Sequence, residues 1–163
     1  MNEVFSKLLG DIAIFGGITE ETKLFLLNEA SLINMPSRTF FFHENDIAED
    51  MYILVSGIVE VVKIKGDTEY PIAVLHKGEC FGEMAVVDHY PRSASVIALE
   101  DCSALKLDIQ CFDKIYHHDI KQFAMLQMNI GREICRRLRD ANELLFKHEI
   151  ENKTAQVISL KSL

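Results

Sequence analysis

The chain has 163 residues, of which 48% are hydrophobic and 26% are charged, and its formal net charge is −8. This length fits one domain with a hydrophobic core of its own, and the composition is that of a soluble globular protein. The excess of acidic residues argues against a nucleic-acid-binding surface as the main function, because neutralising phosphates takes clustered lysine and arginine.

The cysteines do not form a metal-site pattern. Cys80, Cys102, Cys111 and Cys135 include no C-x-x-C pair, so we expect reduced, mostly buried thiols and no metal or cofactor. The sequence has no run of about 18 apolar residues, and its first residues lack the basic-then-apolar layout of a secretory signal. Cytoplasmic residence is therefore the default expectation.

The first 36 residues are predicted to be helical. Thr19 is the predicted N-cap of a second helix, since Glu20 and Glu21 in its first turn suit the helix dipole. Pro36 is expected to end that helix. A first helix, ending before the Gly-Gly pair at 16–17, is predicted from apolar residues at helical spacing. These residues are Phe5, Leu8, Leu9 and Ile12.

Between Thr39 and Asp108 the pattern changes to short segments rich in Val, Ile, Phe and Tyr, separated by turn residues. Such segments predict strands. Many short strands at close spacing favour a small antiparallel barrel or sandwich, flanked here by helices in an α+β fold. The predicted strands are Thr39–His43, Tyr52–Ser56, Val59–Lys65, Pro71–Leu75, Ser95–Ala98 and Ala104–Leu107.

Helical periodicity returns after Asp108. It predicts a short helix over 109–117 and a longer one from Asp119 to about Glu149. A narrow apolar stripe with charged flanks on the longer helix is the coiled-coil pattern, so we expect a homodimer through it. The alternative is that the stripe packs on the barrel. The stripe residues are Ile130, Ile134, Leu138, Ala141 and Leu145.

The segment 78–96 carries the candidate ligand chemistry. Glu83 follows Gly82 and opens a stretch long enough for one helical turn, which presents free N–H groups suited to an anion. Arg92 comes nine residues later, just beyond Pro91, and its planar guanidinium suits phosphate oxygens. These residues indicate a pocket for a sugar phosphate. A surface Glu–Arg pair in a turn is the alternative.

Phe81-Gly-Glu-Met-Ala and Arg92-Ser-Ala-Ser-Val, separated by a loop ending in Pro91, closely resemble the phosphate-binding cassette of cyclic-nucleotide-binding domains. That family includes the catabolite activator protein, the kinase A regulatory subunits and nucleotide-gated channels. The resemblance implies one regulatory, non-catalytic domain: N-terminal helices, an eight-stranded antiparallel β-roll (jelly-roll-like) with the cassette, hinge and long helices, and a tail. The corresponding segments are 1–36, 37–108, 109–149 and 150–163.

The resemblance also implies roles for individual cassette residues. Glu83 would accept hydrogen bonds from the ribose 2′-hydroxyl of a bound cyclic nucleotide. Arg92 would pair with the cyclic phosphate. Backbone N–H groups of Gly82, Met84 and Ala85 would line the phosphate and ribose side.

The base side of the implied pocket involves residues outside the cassette turn. Ser93 would reach the phosphate or the base and favours cAMP slightly over cGMP. Ala73 and Leu75 would form part of the base wall, and Asn142 would cover the base through its amide. Asn45 lies in the turn where the family usually has glycine, and asparagine tolerates the positive φ that this turn needs.

The main functional prediction is a cyclic-nucleotide-responsive regulatory module that signals through helix reorientation. A ligand-silent dimeric scaffold is the first alternative, because His89 and Tyr90 replace smaller residues usual in the cassette loop. A sensor fragment of a longer transcription regulator is the second. Since only Ile150–Leu163 follow the predicted long helix, we expect no DNA binding by this chain, and we expect no membrane association.

Overall fold

A computed structural model of the protein describes residues 12–161, with side chains described for residues 12–153. The chain forms two compact units, which divide between Ile130 and Gly131. The predicted first helix lies outside the described residues except for Ile12, which is buried. No helix of the described part is long and apolar enough to cross a membrane.

The first unit contains a β-roll and its flanking helices. A 3₁₀ turn at Ala13–Phe15 precedes the first α-helix. The helices are α1 (Glu20–Glu29), α2 (Glu83–Asp88), α3 (Ile109–His118) and α4 (Ile120–Lys161), and α4 continues into the second unit. The strands are β1 (Ser31–Met35), β2 (Phe40–Phe42), β3 (Asp50–Ser56), β4 (Val59–Lys65), β5 (Thr68–Leu75), β6 (Cys80–Phe81), β7 (Ser95–Ala98) and β8 (Cys102–Asp108).

The strands form two four-stranded antiparallel sheets, in the orders β1-β8-β3-β6 and β2-β7-β4-β5. Both sheets contribute to one hydrophobic core, which includes Leu54, Phe81 and Ala104 from the first sheet and Val59 and Val96 from the second. The predicted α+β class with an antiparallel β-roll is therefore confirmed. Strand β5 lies at a sheet edge, and its residues 68–74 are exposed.

Three of the four helices in the described part of the chain start at a side-chain cap. Thr19 caps α1 as predicted, since its Oγ1 accepts from the Thr22 N–H at 3.3 Å. The Asp108 carboxylate accepts from the Cys111 N–H at 3.0 Å at the start of α3. Asp119 caps the first turn of α4, where its carboxylate accepts from the Lys121 N–H at 2.9 Å. Each cap satisfies a backbone donor that has no acceptor inside its helix.

The N-terminal segment is attached to the first turns of α4 within the same unit. The Thr19 N–H donates to Gln122 Oε1 at 2.8 Å. Asn129 is buried, and its Nδ2 donates to the carbonyls of Ile14 at 3.0 Å and Gly16 at 2.7 Å. These bonds join residues more than a hundred positions apart in the chain. They hold the first turns of α4 against the N-terminal segment.

Two predicted helix ends are wrong. Helix α1 stops at Glu29 instead of continuing to Pro36, because residues Ser31–Met35 form β1 and pair with β8. Helix α4 continues to Lys161, past the predicted end at Glu149 and through most of the predicted tail. The sequence 150–161 contains no proline or glycine that would end a helix.

The strand predictions are closer to the structure. β4 and β7 have the predicted bounds, while β3, β5 and β8 are longer than predicted and β2 is shorter. β6 was not predicted, since a two-residue strand carries no periodicity of its own. The three cysteines of the first unit are buried, Cys135 is exposed, and none of the four forms a disulfide bond.

Candidate ligand-binding site

The cassette segment joins the two sheets. Strand β6 pairs with β3 in the first sheet, with Phe81 opposite Tyr52. Helix α2 follows, where one helical turn was predicted, and the chain then passes through Arg92 into β7 of the second sheet. Both ends of the segment are therefore anchored in the β-roll, and the residues between them are held close together.

Gly82 has the backbone geometry that its place in the cassette requires. Its φ is +75°, in the left-handed region that favours glycine. A Cβ built on Gly82 would lie 2.5 Å from Arg92 Nη1, which is closer than any real contact. The Gly82 carbonyl accepts a hydrogen bond from the same Nη1 at 2.8 Å. The absence of a side chain at this position lets the backbone lie directly against the arginine.

We expect Gly82→Ala to destabilise the protein and to displace the Arg92 guanidinium. The left-handed backbone alone costs an alanine roughly 1–2 kcal/mol, and the overlap with Nη1 adds to this cost. Gly66→Ala is the matched control, because Gly66 has φ +62° but nothing within 4 Å of the added Cβ. Urea denaturation should show the larger loss for the Gly82 variant. Equal losses would contradict the close approach to Arg92.

The Arg92 side chain is buried, with 3% of its surface exposed. Its Nη1 donates to the Asp50 carbonyl at 2.7 Å and to the Gly82 carbonyl, and its Nη2 pairs with the Asp50 carboxylate. Its Nε is buried and has no hydrogen-bond partner among the described residues. A buried donor without an acceptor is costly, so this nitrogen marks a place where an anion would be stabilised.

Asp50 is the centre of a small polar network at the start of β3. Besides Arg92, its carboxylate forms an ion pair with Lys106, whose Nζ lies 3.0 Å from Oδ2. Burial, and secondarily the charge of Asp50, raises the pKa of Tyr52 to about 12. Tyr52 therefore stays protonated and uncharged at physiological pH.

Two aromatic rings pack against the Arg92 guanidinium. Arg92 Cζ lies 4.0 Å from the centre of the Phe42 ring and 5.9 Å from that of Tyr52. Tyr52 in turn stacks on Phe81, with ring centres 5.2 Å apart. The attraction between a cation and an aromatic face is strongest when the cation is desolvated. The stacked rings also limit where the guanidinium of Arg92 can lie.

The turn between β2 and β3 holds the backbone of Arg92. The Arg92 N–H donates to the Asp46 carbonyl, and the Asn45 N–H donates to the Arg92 carbonyl, both at 2.9 Å. Asn45 adopts φ +71°, as predicted for this turn. The Glu44 N–H donates to Ser95 Oγ at 2.8 Å. The turn was predicted from the sequence, but its contact with the cassette arginine was not.

The other predicted cassette residues fall into buried and exposed sets. Glu83 and Ala85 are buried in the first turn of α2, and Glu83 is only 4% exposed. Met84 and Ser93 are exposed and touch each other, since Ser93 Oγ donates to Met84 Sδ at 3.6 Å. The buried Glu83 and Arg92 thus share the interior of the cassette, while Met84 and Ser93 lie at its surface.

The residues predicted for the base side are spread more widely. Leu75 is part of the core cluster, whereas Ala73 of β5 is exposed. Asn142 is an exposed residue of the second unit, and its role stays a prediction. His89 ends α2 with φ +58°, and Tyr90 beside it is 71% exposed. Tyr90 therefore does not fill the interior of the cassette.

A cleft of about 220 Å³ lies along helix α2 of the cassette. It separates α2 from α3 and the first turns of α4. Its lining is mostly apolar with a polar rim, and neither Glu83 nor Arg92 contributes to it. The lining residues are Val86, His89, Ile109, Phe112, Asp113, Tyr116, Phe123 and Gln127.

In the second unit, the predicted dimer stripe is largely exposed. Leu138 is 58% exposed and Leu145 64%, and Ala141 is also exposed, while Ile134 is partly buried. Ile130 belongs instead to the first unit, where it is fully buried. The stripe available to a partner is therefore the part from Ile134 onwards.

Comparison with known proteins agrees with this geometry. The sequence model of the cyclic nucleotide-binding domain matches residues 32–119. The cyclic AMP receptor protein of Thermus thermophilus is 30% identical over 149 residues, which are 89% of this chain and 67% of that protein. The type II regulatory subunit of the cAMP-dependent protein kinase of Drosophila melanogaster is 28% identical over 114 residues, or 69% of this chain but only 30% of the subunit.

A solved structure supports the fold. The cyclic nucleotide-binding domain from Methylobacillus flagellatus superposes with a TM-score of 0.77 at 22% identity, covering 87% of this chain and 80% of that one. The resemblance predicted from the cassette is confirmed by the family match, which spans the β-roll from β1 to the end of α3. The chain thus belongs to the cyclic nucleotide-binding domain family.

Proposed function

We propose that this chain is a regulatory module that binds a cyclic nucleotide through the cassette 78–96, with cAMP favoured over cGMP. The observation that carries the proposal is the buried Arg92, whose Nε has no partner among the described residues. A cyclic phosphate would supply the missing acceptor, and Glu83 would accept from the ribose 2′-hydroxyl. The names of the Thermus receptor and the Drosophila kinase subunit, which refer to cAMP, support this choice of ligand.

The signal would pass from the cassette to the hinge helix. The cleft between α2 and α3 leaves room for α2 to move when the cassette closes on a phosphate. Val86 of α2 and Phe112 of α3 line opposite sides of this cleft, so closure would bring apolar surfaces together. A ligand shifts such an equilibrium only by its difference in affinity for the two arrangements.

Calorimetric titration with cAMP, cGMP and acyclic 5′-AMP tests the proposal. We expect binding of a cyclic nucleotide with a Kd of about 1 μM, or roughly −8 kcal/mol, and much weaker binding of 5′-AMP. Absence of heat and of thermal stabilisation with both cyclic nucleotides would reject the binding function. Tight binding that leaves amide hydrogen exchange in α3 unchanged would reject only the signalling step.

Two alternative functions each rest on one observation. A scaffold that binds no ligand is favoured by the Asp50 carboxylate, because that carboxylate already pairs with Nη2 of Arg92. A sensor portion of a longer transcription regulator is favoured by the Thermus receptor, of which this chain spans 67%. The titration separates the first alternative from the main proposal, and the length of the complete open reading frame tests the second.

The proposed assembly is a homodimer through the second unit. Exposed apolar side chains at spacings of three and four residues, Leu138, Ala141 and Leu145, form a seam typical of paired helices. Burying this seam against a second copy removes it from water. The same helix carries Glu133, which pairs with Arg136 and Arg137 of its own chain.

We expect Leu138→Asp to convert the dimer to a monomer, because the variant places a charge in the centre of the seam without disturbing a buried residue. Light scattering should report half the mass of the parent protein. Asp140→Asn, an exposed change outside the seam, is the control and should leave the dimer intact. A Leu138→Asp protein that remains dimeric at micromolar concentration would show that the seam is not the interface.

A further inference from the structure

Some of the N–H donors of the Arg92 guanidinium already have acceptors within the protein. Arginine has five N–H donors, and three are used here: two on Nη1, by the carbonyls of Asp50 and Gly82, and one on Nη2, by the Asp50 carboxylate. Two donors remain, one on Nη2 and the one on Nε. An entering anion therefore meets an arginine that already has a negatively charged partner.

The carboxylate of Asp50 is firmly held in this position. Lys106 Nζ contacts Oδ2 at 3.0 Å, opposite the oxygen that pairs with Arg92. Tyr52 lies close enough to the same carboxylate for the charge of Asp50 to raise the pKa of its hydroxyl. Asp50 begins β3, and β8 pairs with it there through Asp108. The strand pairing holds the Asp50 backbone, and the ion pair with Lys106 helps to hold its carboxylate beside Arg92.

We propose that Asp50 is a built-in competitor for the cyclic phosphate and sets the affinity of the site. This inference rests on the proposed function. A phosphate that reaches Arg92 must share the guanidinium with Asp50, and two anions on one buried cation repel each other more strongly than they would in water. Asp50 thus holds the arginine in place and, at the same time, weakens its hold on any anion.

Asp50→Asn separates these two effects, because the amide keeps the shape and a carbonyl acceptor for Nη2 but removes the negative charge. We expect the variant to bind cAMP or cGMP about tenfold more tightly than the parent protein, which corresponds to ~1.4 kcal/mol. Asp67→Asn is the matched control. Asp67 is an exposed turn residue, so its neutralisation removes the same formal charge and should leave affinity unchanged.

Calorimetry on the parent protein and both variants with cAMP and with cGMP, six combinations in all, gives distinct outcomes. Tighter binding by Asp50→Asn alone supports the inference, and binding by this variant but not by the parent supports it most strongly. Equal or weaker binding by Asp50→Asn, with the parent protein binding normally, overturns this inference and leaves the proposed function standing. Absence of binding by every variant rejects the proposed function and this inference with it.

Folding is checked by circular dichroism and thermal denaturation, since Asn at position 50 also loses the ion pair with Lys106. Asp50→Ser is the second variant. It removes the charge with a smaller side chain, so it tests competition where the amide alters the fold. Where Asp50→Asn is folded, its own affinity decides the inference. Where it is not folded, the inference requires Asp50→Ser to bind more tightly than the parent protein, and equal or weaker binding by Asp50→Ser overturns it.

Discussion

Arg92→Ala is expected to reduce cyclic-nucleotide affinity by roughly 10- to 150-fold. Hydrogen bonds to a charged partner contribute about 1.5–3 kcal/mol each, and every ~1.4 kcal/mol is a factor of ten in Kd. The loss should be the largest of any single cassette substitution, because Arg92 is the one residue that supplies both charge and directed donors to the phosphate. Calorimetric titration with cAMP measures it.

The same substitution should also cost stability. It removes the cationic partner of Asp50, and removing one partner of a buried ion pair costs about 3–5 kcal/mol. We expect a loss of about 3 kcal/mol, because Asp50 keeps its ion pair with Lys106. Arg92→Lys is the control for charge, since lysine lacks the planar fork. We expect intermediate affinity for it. An alanine variant that is folded and binds with the parent affinity would rule out Arg92 as the phosphate ligand.

Phe81→Ala is expected to destabilise the protein by about 3–5 kcal/mol, the range for removing a large buried aromatic side chain. Phe81 is 2% exposed. It packs edge-on against Phe41, with ring centres 4.9 Å apart, and face-on against Tyr52. Since domains of this size are stable by only about 5–15 kcal/mol, this single change would remove a large share of the total.

Urea denaturation with a common slope measures the Phe81 effect. Ile47→Ala is the control, because Ile47 is 91% exposed and its removal should change stability by less than about 0.5 kcal/mol. Phe81→Leu keeps an apolar side chain and should lose less than the alanine variant. A loss below 1 kcal/mol for Phe81→Ala would mean that the aromatic stack does not support the cassette.

Local patterns in the sequence were sufficient where turns isolate a strand. β4 was predicted with its observed bounds, since Gly57 and Gly66 flank it. The segment Ser31–Met35 was misassigned because its apolar residues fit either period and no glycine separates it from α1. Only its pairing with β8, more than 65 residues away, makes it a strand. That pairing is a tertiary contact, and the hydrophobic periodicity of the sequence does not predict it.

The candidate site likewise combines a local motif, which the sequence predicts, with tertiary contacts, which it does not predict. The order of glycine, glutamate and arginine in the cassette is local, so the sequence alone indicated an anion site and the family. The ion pair between Asp50 and Arg92 spans 42 residues, and nothing next to Asp50 in the sequence marks it as a partner. Likewise, Ile130 fits the apolar stripe of the long helix by spacing, but packing inside the first unit buries it.

Strand β5 has a consequence for how the protein behaves at high concentration. Among residues 12–161 no strand pairs with its outer edge, and Tyr70, Ile72 and Val74 on it are exposed. Such edges can template aggregation with strands of other molecules. Pro71 lies in the middle of this edge and has no N–H to donate. An incoming strand would find the hydrogen-bond ladder interrupted there, so the proline protects this apolar edge from intermolecular sheet growth.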